Sequence, residues 1–74
     1  MNKQRRKEIA AITQQLADLI SQLETITEDE RDYFDNMPES FQNGAPGEKA
    51  TEALDALDWA CSDLQQSIES LEAI

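Results

Sequence analysis

The stretch IAAITQQLADLISQLETIT, residues 9–27, sets Ile9, Ile12, Leu16, Leu19, Leu23 and Ile26 at alternating steps of three and four. Such steps hold side chains on one stripe of an α-helix, so the stretch reads as a heptad helix with an apolar seam. Ile20 widens that stripe by one position, as in helices that face a core. The register continues through Glu30, Tyr33 and Met37, and neither proline nor glycine occurs from Asn2 to Asp35. One helix over about 3–35 is expected. The competing reading is a break at Thr27-Glu28-Asp29-Glu30, which has the form of a capping box.

Downstream, Pro38, Gly44, Pro46 and Gly47 punctuate residues 36–47. Helices stop at or before a residue that precedes proline, so this is a connector, with room for one helical turn at Pro38–Phe41. Met37 and Phe41 are costly to leave in water and should pack it over the end of the helices. The second helix is expected over about 48–73, with Gly47 as N-cap and Glu48 at the positive end of the helix dipole. Its apolar line is Ala50, Leu54, Leu57, Cys61, Leu64, Ile68 and Leu71, flanked by the small Ala53, Ala60 and Ser67.

Two heptad helices and a connector define an all-α fold: an antiparallel two-helix hairpin, one domain over residues 1–74. The seams suggest layers of Ile12 with Leu71, Leu19 with Leu64, Ile26 with Leu57, and Tyr33 with Ala50. A core this small supplies roughly 3–5 kcal/mol. A single cysteine excludes a disulfide framework, and a chain without histidine has no ordinary zinc site. Self-association is the remaining supplement, so the hairpin is expected to dimerise into a four-helix bundle.

Sixteen Asp and Glu against six Lys and Arg give a net charge of −10. Four of the bases, Lys3, Arg5, Arg6 and Lys7, form a basic tip, and from Glu8 onward only Arg31 and Lys49 offset the acids. That balance disfavours direct nucleic-acid binding and attachment to an anionic membrane. No run approaches the roughly 20 apolar residues of a transmembrane helix, and no signal peptide is evident, so a cytoplasmic protein is expected. Catalysis is not expected. Histidine is absent, a two-helix hairpin has little room for a cleft, and carboxylates such as Asp55 and Asp58 read as a solvated helix face. Asp29, Glu30, Asp32 and Asp35 lack the spacing of a calcium loop, and Cys61 sits on the seam as a small hydrophobe. No metal, cofactor or small-molecule substrate is anticipated.

What remains is binding to protein. Trp59 falls at the outward heptad position among Glu52, Asp55, Asp63 and Gln66, where the connector through Phe41, a second subunit or a different partner must cover it. With Tyr33, Phe34, Met37 and Phe41 it makes the candidate interface. The basic tip is expected to pair with Glu69 and Glu72. Glu24, Glu28, Asp32, Asp35, Glu52, Asp55, Asp58, Asp63 and Glu69 make a candidate acidic face. The leading functional expectation is a non-enzymatic adaptor or small regulator acting as a homodimer. The alternative is an acidic decoy that imitates nucleic acid and inhibits a DNA- or RNA-binding host-defence protein.

The run Tyr33-Phe34-Asp35-Asn36-Met37-Pro38-Glu39-Ser40, followed by Gly47-Glu48-Lys49-Ala50 and an alanine-, leucine- and acid-rich helix, resembles small uncharacterised helical proteins encoded by bacteria and their phages. The resemblance covers a little over half of the chain and implies a microbial or phage origin, but no activity.

Overall fold

The computed structural model describes all 74 residues. It contains α1 (Lys3–Asp35), α2 (Glu39–Gln42) and α3 (Ala45–Glu72), and no strand. Asn2 caps α1: its Oδ1 accepts the Arg5 amide at 2.8 Å, satisfying one of the donors a helix start leaves free. At Thr27 the helix does not break. The hydroxyl donates to the Leu23 carbonyl at 2.8 Å and the side chain is buried, so its polarity is met within the helix and no capping box forms. The end of α1 is tied off by Asn36, whose side-chain amide and backbone N–H both reach the Asp32 carbonyl.

The connector is shorter than its punctuation suggested. Pro38 is the N-cap of the single-turn α2, and α3 already begins at Ala45, with Gly44 and not Gly47 at its N-cap and Pro46 in its first turn. Proline fits there because the first helical amides have no intrahelical acceptor to lose. Gly47 therefore lies inside the helix and is buried. A Cβ at this position would fall onto the backbone of Gln42, 2.7 Å from its Cα. Gln42 also closes the turn from the other side, its Nε2 donating to the Phe34 carbonyl at 2.9 Å. Removing that bond with Gln42→Ala is expected to cost about 1 kcal/mol, read as a lower urea midpoint with an unchanged slope.

α1 packs along α3, and α2 packs on the start of α3, giving the antiparallel hairpin. The molecule measures 58 × 15 × 12 Å, one helix thick, with a radius of gyration of 17.1 Å against about 11 Å for a compact chain of this length. Its accessible surface is 5667 Å², where a compact monomer of this mass exposes roughly 4,600 Å². Only Ile20, Thr27, Gly47, Ala50 and Ile68 are buried. Each long helix has one neighbour, and a single contact line cannot cover a full apolar stripe.

The α3 seam lies as its spacing suggested, with Ala50, Leu54, Leu57, Cys61, Leu64, Ile68 and Leu71 all buried or half-buried. On α1 the seam is different. Ile9, Leu16, Leu23 and Glu30 do turn inward, but the alternating rungs are Thr13, Ile20, Thr27 and Phe34. Ile12, Leu19, Ile26 and Tyr33, expected opposite α3, are instead 52, 52, 54 and 60 % exposed. Size and side-chain bonding account for the shift. Thr13 and Thr27 return their hydroxyls to the Ile9 and Leu23 carbonyls, each at 2.8 Å, so neither brings an unpaired polar group to the seam. Thr13, together with Ala10 and Ala17, forms a low surface beside Ile68, and Thr27 lies farther along the seam, beside Asp58 and Cys61.

Candidate interaction surfaces

Four surfaces follow from this packing. The first is the flank of α1 carrying Ile12, Leu19, Ile26 and Tyr33, one side chain every seven residues over 22 positions. Tyr33 and Glu30 share a groove with Pro46, Lys49 and Ala50 of α3. The flank of α3 on that side is the one bearing Lys49. Helical periodicity adds Ala53, Ala56 and Ala60 to it, so a ridge on α1 runs beside a low strip on α3.

The opposite flank is acidic. Glu24, Glu28 and Arg31 of α1 line a groove with Asp58 and Cys61 of α3. Arg31 Nη2 lies 3.7 Å from Asp58 Oδ1, the one ion pair of the molecule. Both side chains are more than half exposed, so it contributes little to stability. Of the nine carboxylates expected on an acidic face, all are exposed, but only Glu24, Glu28 and Asp58 line this groove. Asp55 sits one turn from Asp58, and Asp32 and Asp35 lie at the end of α1. Glu52 shares a heptad line with Trp59, and Asp63 shares one with Lys49, so they point elsewhere. The basic tip makes none of the expected ion pairs with Glu69 and Glu72. Arg6 does lie in a groove with Leu71, Glu72 and Ile74, at a separation beyond pairing distance.

At the connector, Tyr33, Asn36, Met37, Pro38, Phe41 and Pro46 line an apolar cleft. Three of the five candidate interface residues therefore meet at one end of the rod. Met37 is half-buried there while Phe41 remains 53 % exposed, and Phe34 is half-buried on the seam facing α3, outside the cleft.

Trp59 stands alone. Leu57 and Cys61 both turn toward α1, and Trp59 is two residues from each, about 200° round the helix from either. It is 71 % exposed, with Asp55, Asp58 and Ser62 around it. The connector does not cover it, and Phe41 belongs to the separate cleft at the end of the rod, so of the expected covers only a second subunit or a different partner remains. A ring this wet contributes little to the hairpin. Trp59→Ala should change the stability by less than about 0.5 kcal/mol, as for an ordinary surface site. The unmodified protein should emit at long wavelength and be quenched readily by acrylamide. Blue-shifted emission from the isolated chain would contradict this environment.

The exposed ridge on α1 was the feature least evident from sequence. Its signal was present as two overlapping heptad lines, 9-12-16-19-23-26 and 13-16-20-23-27-30-34, of which one neighbouring helix can cover only one. No group of three or more Cys, Asp or Glu is arranged to hold a metal ion, and no helix is long and apolar enough to cross a membrane. Fold and surfaces together define a rod-shaped helical hairpin with one apolar flank, one acidic flank and an apolar tip. No protein family, curated protein or solved structure matches the chain.

Proposed function

We propose that this chain is a non-enzymatic cytoplasmic interaction protein, an adaptor or small regulator, that acts by protein–protein binding as a homodimer. The observation that supports the reading is the amount of large apolar surface left uncovered. Ile12, Leu19, Ile26, Tyr33, Phe41 and Trp59 are each more than half exposed, while the buried apolar residues are Ile20, Ala50 and Ile68. Monomers rarely expose contiguous apolar patches of this kind without a partner for them. The α1 ridge suits a second copy, and Trp59, apart from both the ridge and the connector cleft, suits a different protein. Trp59 has the size and rigidity of an interface anchor, and the surrounding Asp55 and Asp58 favour a partner pocket rimmed by Lys or Arg.

Affinity capture with the wild-type chain and with Trp59→Ala, compared at equal helix content, tests the adaptor reading. A specific protein retained by the first and lost by the second, with binding weakened by 2 kcal/mol or more, is the expected result. Equal retention by both would remove Trp59 from the function.

One observation favours a second reading, the decoy that imitates nucleic acid: the acidic groove of Glu24, Glu28 and Asp58 is balanced only by Arg31. A decoy requires that the captured protein be basic, bind nucleic acid, and leave when competing DNA is added. Scattered acids such as Glu52 and Asp63 equally serve solubility.

A further inference from the structure

We infer that the exposed ridge of α1 is covered by the same ridge of a second copy, with the two α1 helices running antiparallel about a twofold axis near Gln22 and Leu23. This rests on the homodimer reading above and specifies its face and direction. The heptad line Ile12, Leu16, Leu19, Leu23, Ile26 is then a real coiled-coil seam whose partner is another α1, while α3 occupies the adjoining line through Thr13, Ile20, Thr27 and Phe34. Each α1 packs against two helices, as in a four-helix bundle.

Area and charge choose this occupant and this direction. The chain exposes 5667 Å², roughly 1,100 Å² more than a compact monomer of its mass, and a standard interface covers about 800 Å² per partner. The ridge is also self-complementary under a twofold axis, as an isologous contact requires. Ile12 meets the partner's Tyr33, and Leu19 meets the partner's Ile26.

Direction follows from an uneven distribution of charge along α1. Residues 3–18 carry Lys3, Arg5, Arg6 and Lys7 against Glu8 and Asp18, a net of +2. Residues 19–35 carry Arg31 against Glu24, Glu28, Asp29, Glu30, Asp32 and Asp35, a net of −5. Parallel helices would set like halves side by side along the whole interface. Antiparallel helices set +2 beside −5 twice, and bring the basic tip, which has no ion pair within its own chain, alongside Asp35 and Glu39 of the partner.

Sedimentation and site-specific cross-linking test the arrangement. In a Cys61→Ser background, which removes the one native thiol, single cysteines are placed by Gln22→Cys and Gln15→Cys, both at exposed sites beside the ridge. The wild-type chain should sediment at twice its 8.3 kDa mass. Gln22→Cys should link to its twin under mild oxidation or a short bismaleimide. Gln15→Cys should link at least tenfold less, because the axis near residue 22.5 holds its two copies about 22 Å apart along the bundle. Linkage at both positions would show parallel helices, and linkage at neither would show α1 lying against the partner's α3. Either result overturns this arrangement and leaves the homodimer intact, whereas a monomer mass overturns both.

Discussion

Gly47→Ala is expected to destabilise the protein by about 3 kcal/mol, although alanine is the better helix former by roughly 1 kcal/mol in an ordinary helix interior. The position lies in the first turn of α3, and the added Cβ would coincide with the carbonyl group and Cα of Gln42. Those are backbone atoms, so no rotamer change relieves the overlap. Either α2 lifts from α3 or the start of α3 unwinds, and both separate Gln42 from the Phe34 carbonyl. In a domain of this size 1 kcal/mol moves the melting point by about 4–8 °C, so a fall of roughly 12–24 °C is expected by circular dichroism. A melting point equal to or above that of the wild type would mean that α2 is not seated on α3 as described. By contrast, Gly44, at the N-cap, meets a Cβ only at 3.3 Å and beyond, so its replacement should be much milder.

The second large effect separates two neighbouring residues. Ile20 is 4 % exposed and Leu19 is 52 % exposed. Truncation of a buried isoleucine to alanine costs about 2–5 kcal/mol through lost transfer energy and the cavity left behind. That is comparable with the whole roughly 3–5 kcal/mol that a core of this size supplies. Ile20→Ala should therefore leave a largely unfolded chain at 37 °C at dilutions where no dimer forms. Leu19→Ala removes the same kind of surface from the outer ridge, so its cost should be felt through association. Its melting point should lie below that of the wild type at high concentration and converge with it on dilution, where both chains are monomers, because only linked association feels the loss. Identical, concentration-independent losses for both variants would show that Leu19 lies in the hairpin core after all.

How far the sequence disclosed these features differs between the two helices. On α3 the large apolar residues form one line, so the pattern has one solution and the structure follows it. On α1 the line through Ile12, Leu19 and Ile26 is the more apolar, and hydrophobicity alone selects it for the hairpin. The structure gives α3 the line through Thr13, Ile20, Thr27 and Phe34, where threonine hydroxyls bonded within their own helix leave small side chains with no unpaired polar group. Side-chain hydrogen bonding and side-chain height made that choice, and neither is visible in a count of apolar residues.

Boundaries were lost for similar reasons. Gly47 resembles a helix cap until its crowding against Gln42 is seen, whereas Pro46 already marked the first turn of α3. The Asn2 cap follows the ordinary N-cap preference and was available from sequence alone. Of the candidate interface residues, Tyr33, Met37 and Phe41 share one cleft. Their common location depends on where the α2 turn places Phe41, and spacing along the chain does not specify that. The outward position of Trp59 was legible from its distance of two residues from both Leu57 and Cys61. Its lack of any cover within the chain was not.

The length of the rod bears on valency. In the proposed antiparallel pair the two connectors point away from each other, on the order of 45 Å apart by helical rise. Each end then presents its own copy of the cleft through Met37, Pro38 and Phe41, with Tyr33 shared between the cleft and the dimer seam. Two identical sites at opposite ends of a stiff spacer cannot close together on one small target. They can hold two molecules at a fixed separation, or grip one long repetitive assembly at two points, where the second contact is made at high effective concentration. A parallel pair would place both clefts at the same end and would act as a clamp. The direction of α1 against its twin therefore decides whether the protein bridges or pinches.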